Sequence, residues 1–308
     1  MTNMEYKHRF SVFTATYNRS EGLKKLHEDL CRQTFKDFEW IVVNDGSTDN
    51  TDEMMQEIIA KSPLDIVYVP MPQNGGKHKA WREGLKAFSG RYVVTADDDD
   101  PVLPETLATH NRHWLKLESE PNYDEFWEVR TRCVDSKGDL VGDPLPEPWF
   151  DSDYIEVNLK LKVKGEMNGS RKVEILRSEA NIPKFLFEDK CNNYPEGLRW
   201  TKASRKYKTR FVPDITRIYE PNPSGLINHK KTDRALYTQL IGWGYNLLNN
   251  RDLLLKYNLK EYLLNVAMVG YKSAQLKERL GVFHFCATDR FLTFLAKKIF
   301  EVYLKFIK

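Results

Sequence analysis

The chain has 308 residues, of which 41% are hydrophobic and 30% are charged, and its formal net charge is +3. A chain of this length can bury a large core, and so small a net charge does not indicate a nucleic-acid partner. The four cysteines lack the spacing of a zinc site or a disulfide framework, which favours a reducing compartment. Because no apolar signal segment or membrane-spanning run is present, we expect a cytoplasmic protein.

The first hundred residues alternate strands with helices. The predicted strands are Arg9–Thr16, Glu39–Asn44, Asp65–Pro70 and a run that ends just before Asp97. A helical period of apolar residues follows each of the first three strands. Alternation with connections of this length predicts an α/β fold, a parallel sheet with helices on both faces.

Polar residues and glycines follow all four strands at their carboxyl ends. These residues are Thr16-Tyr17-Asn18, Asp45-Gly46-Ser47, Asn74-Gly75-Gly76 and Asp97 to Asp100. Because parallel sheets bind ligands at the carboxyl ends of their strands, this convergence predicts a nucleotide-type pocket.

The run Asp97 to Asp100 places four adjacent carboxylates at the end of a buried strand. Like charges at this spacing repel, so we expect a cation to neutralise them. Carboxylate oxygens suit Mg²⁺, Mn²⁺ or Ca²⁺, and the first two ions usually also hold substrate phosphates. The alternative is a solvated acidic turn.

Four segments carry a family resemblance. They are TYNR at 16–19, VVNDGSTDNT at 42–51, NGGKHKAWREG at 74–84 and ADDDDPVLPETL at 96–107. In this order and strand context they resemble the family 2 glycosyltransferases of the GT-A fold, a Rossmann-like architecture. The resemblance is strongest over residues 10–110 and thins out beyond about residue 220. It implies an inverting enzyme that uses a nucleotide-sugar donor.

The resemblance implies a nucleotide site lined by Thr14, Thr16, Asn18, Asp45, Gly75, Gly76, Lys77, Asp97 and Asp98. Asp45 would accept a hydrogen bond from the uracil imide; the alternative is that it caps the following helix. The two glycines allow close approach of the backbone to the nucleotide. Lys77 would contact phosphate, although it could equally be a solvated helix residue.

The resemblance also implies a divalent metal, Mn²⁺ or Mg²⁺, in the acidic run. Asp99 is expected to coordinate it directly, and Asp97 to contact ribose or a metal-bound water. Asp98 stands where the family often has a small residue, and Asp100 is an alternative ligand. A divalent ion would offset the charge that builds on the departing nucleoside diphosphate.

The second half of the catalytic domain has fewer sequence signals. Strands are predicted at Phe126–Val134 and Val173–Leu176, and two more at Arg210–Val212 and Ile215–Tyr219. The proline- and acid-rich residues 142–153 predict a loop near the acceptor. In the family this half builds the acceptor pocket.

An inverting transfer needs a carboxylate that takes the proton of the acceptor hydroxyl. The family has this residue at the start of a helix, and here Pro195-Glu196 has the pattern of a helix start. We therefore predict Glu196 as the base. The alternative is a glutamate that only complements the helix dipole, and Asp189 or Glu188 is the second choice for the base.

The predicted domains are a GT-A catalytic domain over 1–220 and a helical region over 221–308. The catalytic domain divides into a nucleotide-sugar half (1–110) and an acceptor half (111–220). Within the helical region, the tail 290–308 has an apolar and a basic face, and the last 23 residues hold five basic and two acidic residues. Such a helix suits an anionic membrane surface, which predicts a peripheral position on the inner face of the membrane. The alternative is packing on its own domain or on a second copy.

The sequence therefore predicts a metal-assisted inverting glycosyltransferase with a UDP-sugar donor. The acceptor would be a glycan or lipid-linked glycan, in surface polysaccharide biosynthesis. One alternative is a nucleotide-sugar or carbohydrate-binding protein without catalysis. A sugar nucleotidyltransferase is less favoured, because it would need a glycine-rich phosphate loop after the first strand, where this chain has Thr16-Tyr17-Asn18-Arg19-Ser20.

Overall fold

The computed structural model describes residues 5–147, 149–178, 184–191, 193–219, 232–279 and 283–306, with the backbone alone for 302–306. The chain forms two compact units. The first comprises Met1–Tyr154, Val163–Asn181 and Ala203–Asn222, and the second comprises Ile155–Lys162, Ile182–Lys202 and Pro223–Lys308. The predicted boundary at residue 220 falls among residues outside the description, so that division stays a prediction.

The first unit contains the sheet. Its strands are β1 His8–Thr16, β2 Phe38–Asn44, β3 Asp65–Pro70, β4 Gly90–Thr95, β5 Phe126–Val134, β6 Phe150–Ser152, β7 Met167–Lys172 and β8 Lys208–Ile218. Its helices are α1 Ser20–Cys31, α2 Thr51–Lys61, α3 Lys77–Ala87, α4 Thr106–Glu118 and α5 Val173–Ser178, with a 3₁₀ turn at Tyr123–Glu125.

The strand order is β3-β2-β1-β4-β7-β5-β8-β6. β1 pairs in parallel with β2 and β4, and β2 pairs in parallel with β3, as the alternation predicts. The register opposes Thr16 to Asn44, and Asn44 to Pro70. The carboxyl ends of these strands therefore lie side by side at one edge of the sheet.

The second half of the sheet differs from the prediction in two places. The run Val173–Leu176, predicted as a strand, lies in helix α5, so that prediction is wrong. Its place is taken by β7, which inserts antiparallel between β4 and β5. β7 has the sequence MNGSRK, which contains almost no apolar residues. It therefore lacks the alternation of apolar and polar residues by which a strand is predicted from sequence. The two strands predicted after residue 209 are one continuous strand, β8.

Large aromatic side chains form the core on one face of the sheet. The rings of Tyr92 and Trp114 stack with centroids 4.0 Å apart, which presses α4 onto β4. The indole N–H of Trp114 donates to the Ser170 hydroxyl at 2.8 Å, and this hydroxyl lies 2.9 Å from Nδ1 of His110. Through these contacts α4 packs on β4 and is hydrogen-bonded to β7.

The second unit is helical, as predicted for the C-terminal part of the chain. Its elements are α6 Glu196–Ser204, which ends in the first unit, α7 Asp233–Tyr257, α8 Leu259–Leu276 and α9 Ala287–Phe306, with a π-helical segment at Glu156–Leu161 and a 3₁₀ turn at Glu188–Lys190. Its core lies between α7, α8 and the aromatic residues before α9. No helix in the described part of the chain is long and apolar enough to cross a membrane.

The buried His110 makes the stability of the fold depend on pH. Burial lowers the pKa of His110 to about 3, below its usual value of 6.5. The unfolded chain therefore binds a proton below pH 6.5 that the folded chain excludes, and stability falls as the pH falls towards 3. Between pH 7 and pH 5 this group alone should lower the free energy of unfolding by about 2 kcal/mol.

Urea unfolding at both pH values, on the wild type and on His110→Gln, checks this expectation. Between pH 7 and pH 5, the free energy of unfolding of the glutamine variant should fall by about 2 kcal/mol less than that of the wild type. An equal loss in both proteins would contradict a neutral buried His110.

Candidate active site

The loops after β2 and β3 are joined through one buried carboxylate. The backbone N–H groups of Gly75 and Gly76 donate to Asp45 at 2.7 and 2.8 Å, and the side-chain amide of Asn74 donates at 3.2 Å. Asp45 does not cap α2, which begins at Thr51 with Asn50 before it. The carboxylate instead fixes the path of the glycine loop.

Two glycines make this arrangement sterically feasible. Gly46 has φ of +69°, and a Cβ at this position would lie 2.4 Å from the carbonyl carbon of Gln73. Gly76 has φ of +92° directly before α3. Any other residue would be strained at both positions, because L side chains rarely adopt this backbone conformation.

The end of β1 is tied to the loop after β2. Asn18 has φ of +54°, and its backbone N–H donates to the Ser47 hydroxyl at 2.8 Å. Its side-chain oxygen accepts from the backbone N–H of Thr48 at 2.7 Å. Asn18 therefore holds two of the four strand ends together.

The two threonines predicted for the nucleoside site are buried. The hydroxyl of Thr14 donates to the carbonyl of Ala96 at 2.8 Å and accepts from the indole of Trp40 at 3.0 Å. The hydroxyl of Thr16 donates to Asp98 at 2.6 Å. Both side chains link β1 to its neighbours, and their contact with a nucleoside stays a prediction.

Two members of the acidic run are partly exposed. The carboxylate of Asp97 lies 2.9 Å from the ammonium of Lys77, and that of Asp99 lies 3.2 Å from the guanidinium of Arg19. Their side chains are 33% and 31% exposed. The positive charge of Lys77 lowers the pKa of Asp97, so this carboxyl is ionised at neutral pH.

The other two members face inward. The side chain of Asp98 is 9% exposed, and burial raises its pKa to about 6. Asp100 is 6% exposed and lies 3.3 Å from the guanidinium of Arg217. Exposure therefore alternates along the run, and Asp97 and Asp99 are the two carboxylates open to a ligand.

Two cations beside the acidic run were missed by the sequence analysis. Arg19 belongs to the TYNR segment, so the motif carried a signal for it. Arg217 lies far along the chain at the end of β8, where it also lies 3.5 Å from Glu166. An isolated arginine in a strand gives no sequence signal. Its bridge to Val102, together with the pairing of β5 with β8, brings Arg217 beside the acidic run.

The oxygen ligands at this edge fit a metal ion that arrives with a phosphate. Among the described residues, no group of three or more His, Cys, Asp or Glu side chains is arranged to hold a metal. Mg²⁺ and Mn²⁺ do not need such a cage, since Mg²⁺ usually binds one or two carboxylates together with water and substrate phosphates. Asp99, partly exposed and next to Asp97, fits that mode.

The predicted base starts a helix, as expected. Glu196 is the first residue of α6, directly after Pro195. The alternative carboxylates Glu188 and Asp189 lie in the 3₁₀ turn that precedes it. All three belong to the second unit, whereas the acidic run belongs to the first.

Comparison with known proteins shows similarity to one family of enzymes. Residues 11–119 match the sequence model of glycosyl transferase family 2. An uncharacterized glycosyltransferase of Rickettsia typhi is 23% identical over 316 residues, which cover 97% of this chain and 92% of that protein. The first part of the chain thus resembles glycosyltransferase family 2. Together with the glycosyltransferase relatives, this similarity indicates a sugar transferase, as predicted.

A second relative is matched over a shorter part of its length. The undecaprenyl-phosphate 4-deoxy-4-formamido-L-arabinose transferase of an Enterobacter strain is 30% identical over 139 residues. The match covers 44% of this chain and 41% of that protein. The chain thus spans less than half the length of this relative.

Solved structures confirm the GT-A fold. TarS 1-349 of S. aureus, in complex with UDP-GlcNAc, superposes with a TM-score of 0.56 at 16% identity, over 96% of this chain and 92% of that chain. The mannosyltransferase PcManGT of Pyrobaculum calidifontis, in complex with GDP-Man and Mn²⁺, has a TM-score of 0.54 at 18% identity, over 96% and 84%. Identities this low show that the architecture is shared.

Loss of the Asp45 carboxylate should destabilise the first unit. In Asp45→Asn, one of the two backbone donors faces an amide N–H in place of an oxygen. Because hydrogen bonds to charged groups are worth about 1.5–3 kcal/mol, we expect a loss of about 2–3 kcal/mol in urea unfolding.

Asp65→Asn is the matched control, since its carboxylate makes a surface pair with Lys7. That change should cost less than about 1 kcal/mol. Equal effects of the two substitutions would show that the buried carboxylate does not hold the loop.

Proposed function

We propose that the protein transfers a sugar from a UDP-sugar to a hydroxyl of a glycan or lipid-linked glycan, with inversion at the anomeric carbon. The observation that carries the proposal is the set of four linked strand ends. Their loops bring a buried carboxylate (Asp45), two glycines that would allow close approach of a ligand (Gly75, Gly76) and two partly exposed carboxylates (Asp97, Asp99) to one edge. This is where open α/β sheets bind nucleotides.

In the proposed complex, Asp45 accepts a hydrogen bond from the imide N–H of uracil. Thr14, Thr16 and Asn18 lie beneath the nucleoside. TarS, a protein of the same fold, was solved with UDP-GlcNAc, which supports uridine as the preferred nucleoside.

The diphosphate would lie beside Asp97, Asp98 and Asp99. We propose that Asp99 holds Mn²⁺ or Mg²⁺ and that Asp97 contacts ribose or a metal-bound water. The bound ion would offset the charge that develops on the leaving diphosphate. Lys77, which approaches Asp97 from the start of α3, supplies a second positive charge for the phosphates. The Mn²⁺ in the PcManGT complex supports a divalent ion without deciding between the two metals.

The acceptor hydroxyl needs a base as it attacks the anomeric carbon. We propose that Glu196 takes this proton while the bond to the diphosphate breaks and UDP leaves. Its position at the first turn of α6 supports the proposal, because family members have their base at a helix start. Attack from the face opposite the leaving group would convert an α-linked donor into a β-glycoside.

The acceptor is proposed to belong to surface polysaccharide biosynthesis. The Enterobacter relative is named for transfer involving undecaprenyl phosphate, which supports a lipid-linked acceptor. We propose that the protein meets such an acceptor at the membrane surface through the tail 290–308. A binding protein that has lost catalysis is the alternative, and kinetic measurement separates the two.

Glu196→Gln should lose turnover and keep the donor. Removal of a general base typically costs about 10²–10⁴ in rate, so we expect the release of UDP from a UDP-sugar to fall by at least about 10². Donor affinity, measured by calorimetry, should stay within about threefold, since a general base contributes little to ground-state binding.

Asp189→Asn and Glu188→Gln are the matched controls and should retain most of the activity. If one of them loses turnover instead, the role of the base moves to that residue. If the wild type binds UDP but never turns over any UDP-sugar, the alternative without catalysis is favoured.

A further inference from the structure

Polar and small residues of helix α9 take part in its packing on α7 and α8. The carboxylate of Asp289 accepts from the hydroxyl of Tyr262 at 2.6 Å and from the guanidinium of Arg251 at 3.1 Å. Further along, a Cβ on Gly270 would lie 2.6 Å from the Cβ of Ala296, so α8 and α9 are in close contact there. Asp289 and Thr293 are almost fully buried in this contact.

Four large apolar residues of α9 face away from that contact. Phe291 is 64% exposed, Phe294 51%, Leu295 46% and Ile299 59%. Positions three, four and eight residues apart fall on one face of a helix, so these side chains form one apolar stripe. A helix of a globular protein normally buries such a face. Here Asp289 and Thr293 are buried together with the half-buried Leu292 and Phe300, while the stripe is exposed.

Basic residues border the apolar stripe. A groove of about 580 Å³ lies along it, and its lining includes Arg279, Arg290, Phe291, Phe294, Lys297 and Lys298. Lys298 is 56% exposed and pairs with Glu301 at 2.9 Å, and the exposed Arg290 donates to the carbonyl of Phe285 at 3.2 Å. Lys297 is only 14% exposed and donates to the carbonyl of Glu278 at 2.6 Å. Arg290 and Lys298 are therefore the more exposed of the cations on α9 that border the apolar stripe.

We propose that the apolar stripe of α9 docks on an anionic phospholipid surface. Phe291 and Phe294 would enter the boundary between headgroups and acyl chains, and Arg290 and Lys298 would face the lipid phosphates. A second copy of the chain fits less well, because a symmetric contact through this face would bring two cationic borders together. The inference rests on the membrane part of the proposed function and is independent of the transfer chemistry.

Flotation with vesicles tests the proposal on the full chain. The wild type should bind vesicles that contain phosphatidylglycerol and bind phosphatidylcholine vesicles much less, with the difference reduced by salt. Phe291→Ser with Phe294→Ser should lower binding to both kinds of vesicle by at least about tenfold. Arg290→Glu with Lys298→Glu should remove the preference for phosphatidylglycerol, again by about tenfold.

Leu115→Ser is the matched control, because Leu115 is an equally exposed apolar residue on α4 of the first unit. This variant should bind vesicles like the wild type. The proposal is overturned if the wild type does not bind anionic vesicles or if the double Phe variant binds unchanged. It is also overturned if the wild type is a dimer that the double Phe variant converts to monomers.

Thermal stabilisation by UDP, measured on the same samples, separates this inference from the proposed transfer. Variants of the apolar stripe should keep the full UDP response while losing vesicle binding. A variant that loses both the UDP response and vesicle binding is unfolded. In that case the test uses Arg290→Glu with Lys298→Glu.

Discussion

Electrostatic balance at the carboxyl edge of the sheet is the constraint on which the rest of the site depends. Four adjacent carboxylates repel each other, and each is neutralised or buried in its own way. Lys77 comes from α3, Arg19 from the end of β1 and Arg217 from β8, so three separated parts of the chain must fold before the run is stable. Because Asp98 and Asp100 turn inward, Asp97 and Asp99 are the carboxylates that remain partly exposed. The proposed cation and diphosphate would therefore meet carboxylates that the fold itself holds in place.

The first four strands could be predicted from sequence because local pattern and global topology agree there. Each of the strands β1 to β4 has an apolar run and ends in turn residues, and parallel pairing aligns those ends. The later strands of the sheet lack this agreement. β7 is polar although it is buried between β4 and β5, and there Arg171 pairs with Glu128 of β5 at 2.7 Å. The short apolar run after it fits a strand or a helix equally well, and its tertiary contacts make it helical.

Single residues show the same limit. Asp45 could be assigned to the site by its motif, but its bonds to Gly75 and Gly76 depend on a loop thirty residues away. Arg217 could not be found at all, because nothing local distinguishes it from other arginines. In α9 the sequence shows an apolar and a basic face, but it does not show which residues of the helix pack against the rest of the second unit. The observed packing uses Asp289 and Ala296 and leaves the stripe of Phe291, Phe294, Leu295 and Ile299 exposed.

The central claim is a uridine-nucleotide site whose metal is held by Asp99, and calorimetric or thermal titration with UDP tests it most directly. With Mn²⁺ present, UDP at about 100 times its Kd should stabilise the wild type by about 2.7 kcal/mol. EDTA or Asp99→Asn should remove most of this effect, while the surface control Asp124→Asn should leave it intact. If UDP fails to stabilise the wild type with any divalent metal, or stabilises Asp99→Asn equally, the proposed site is wrong.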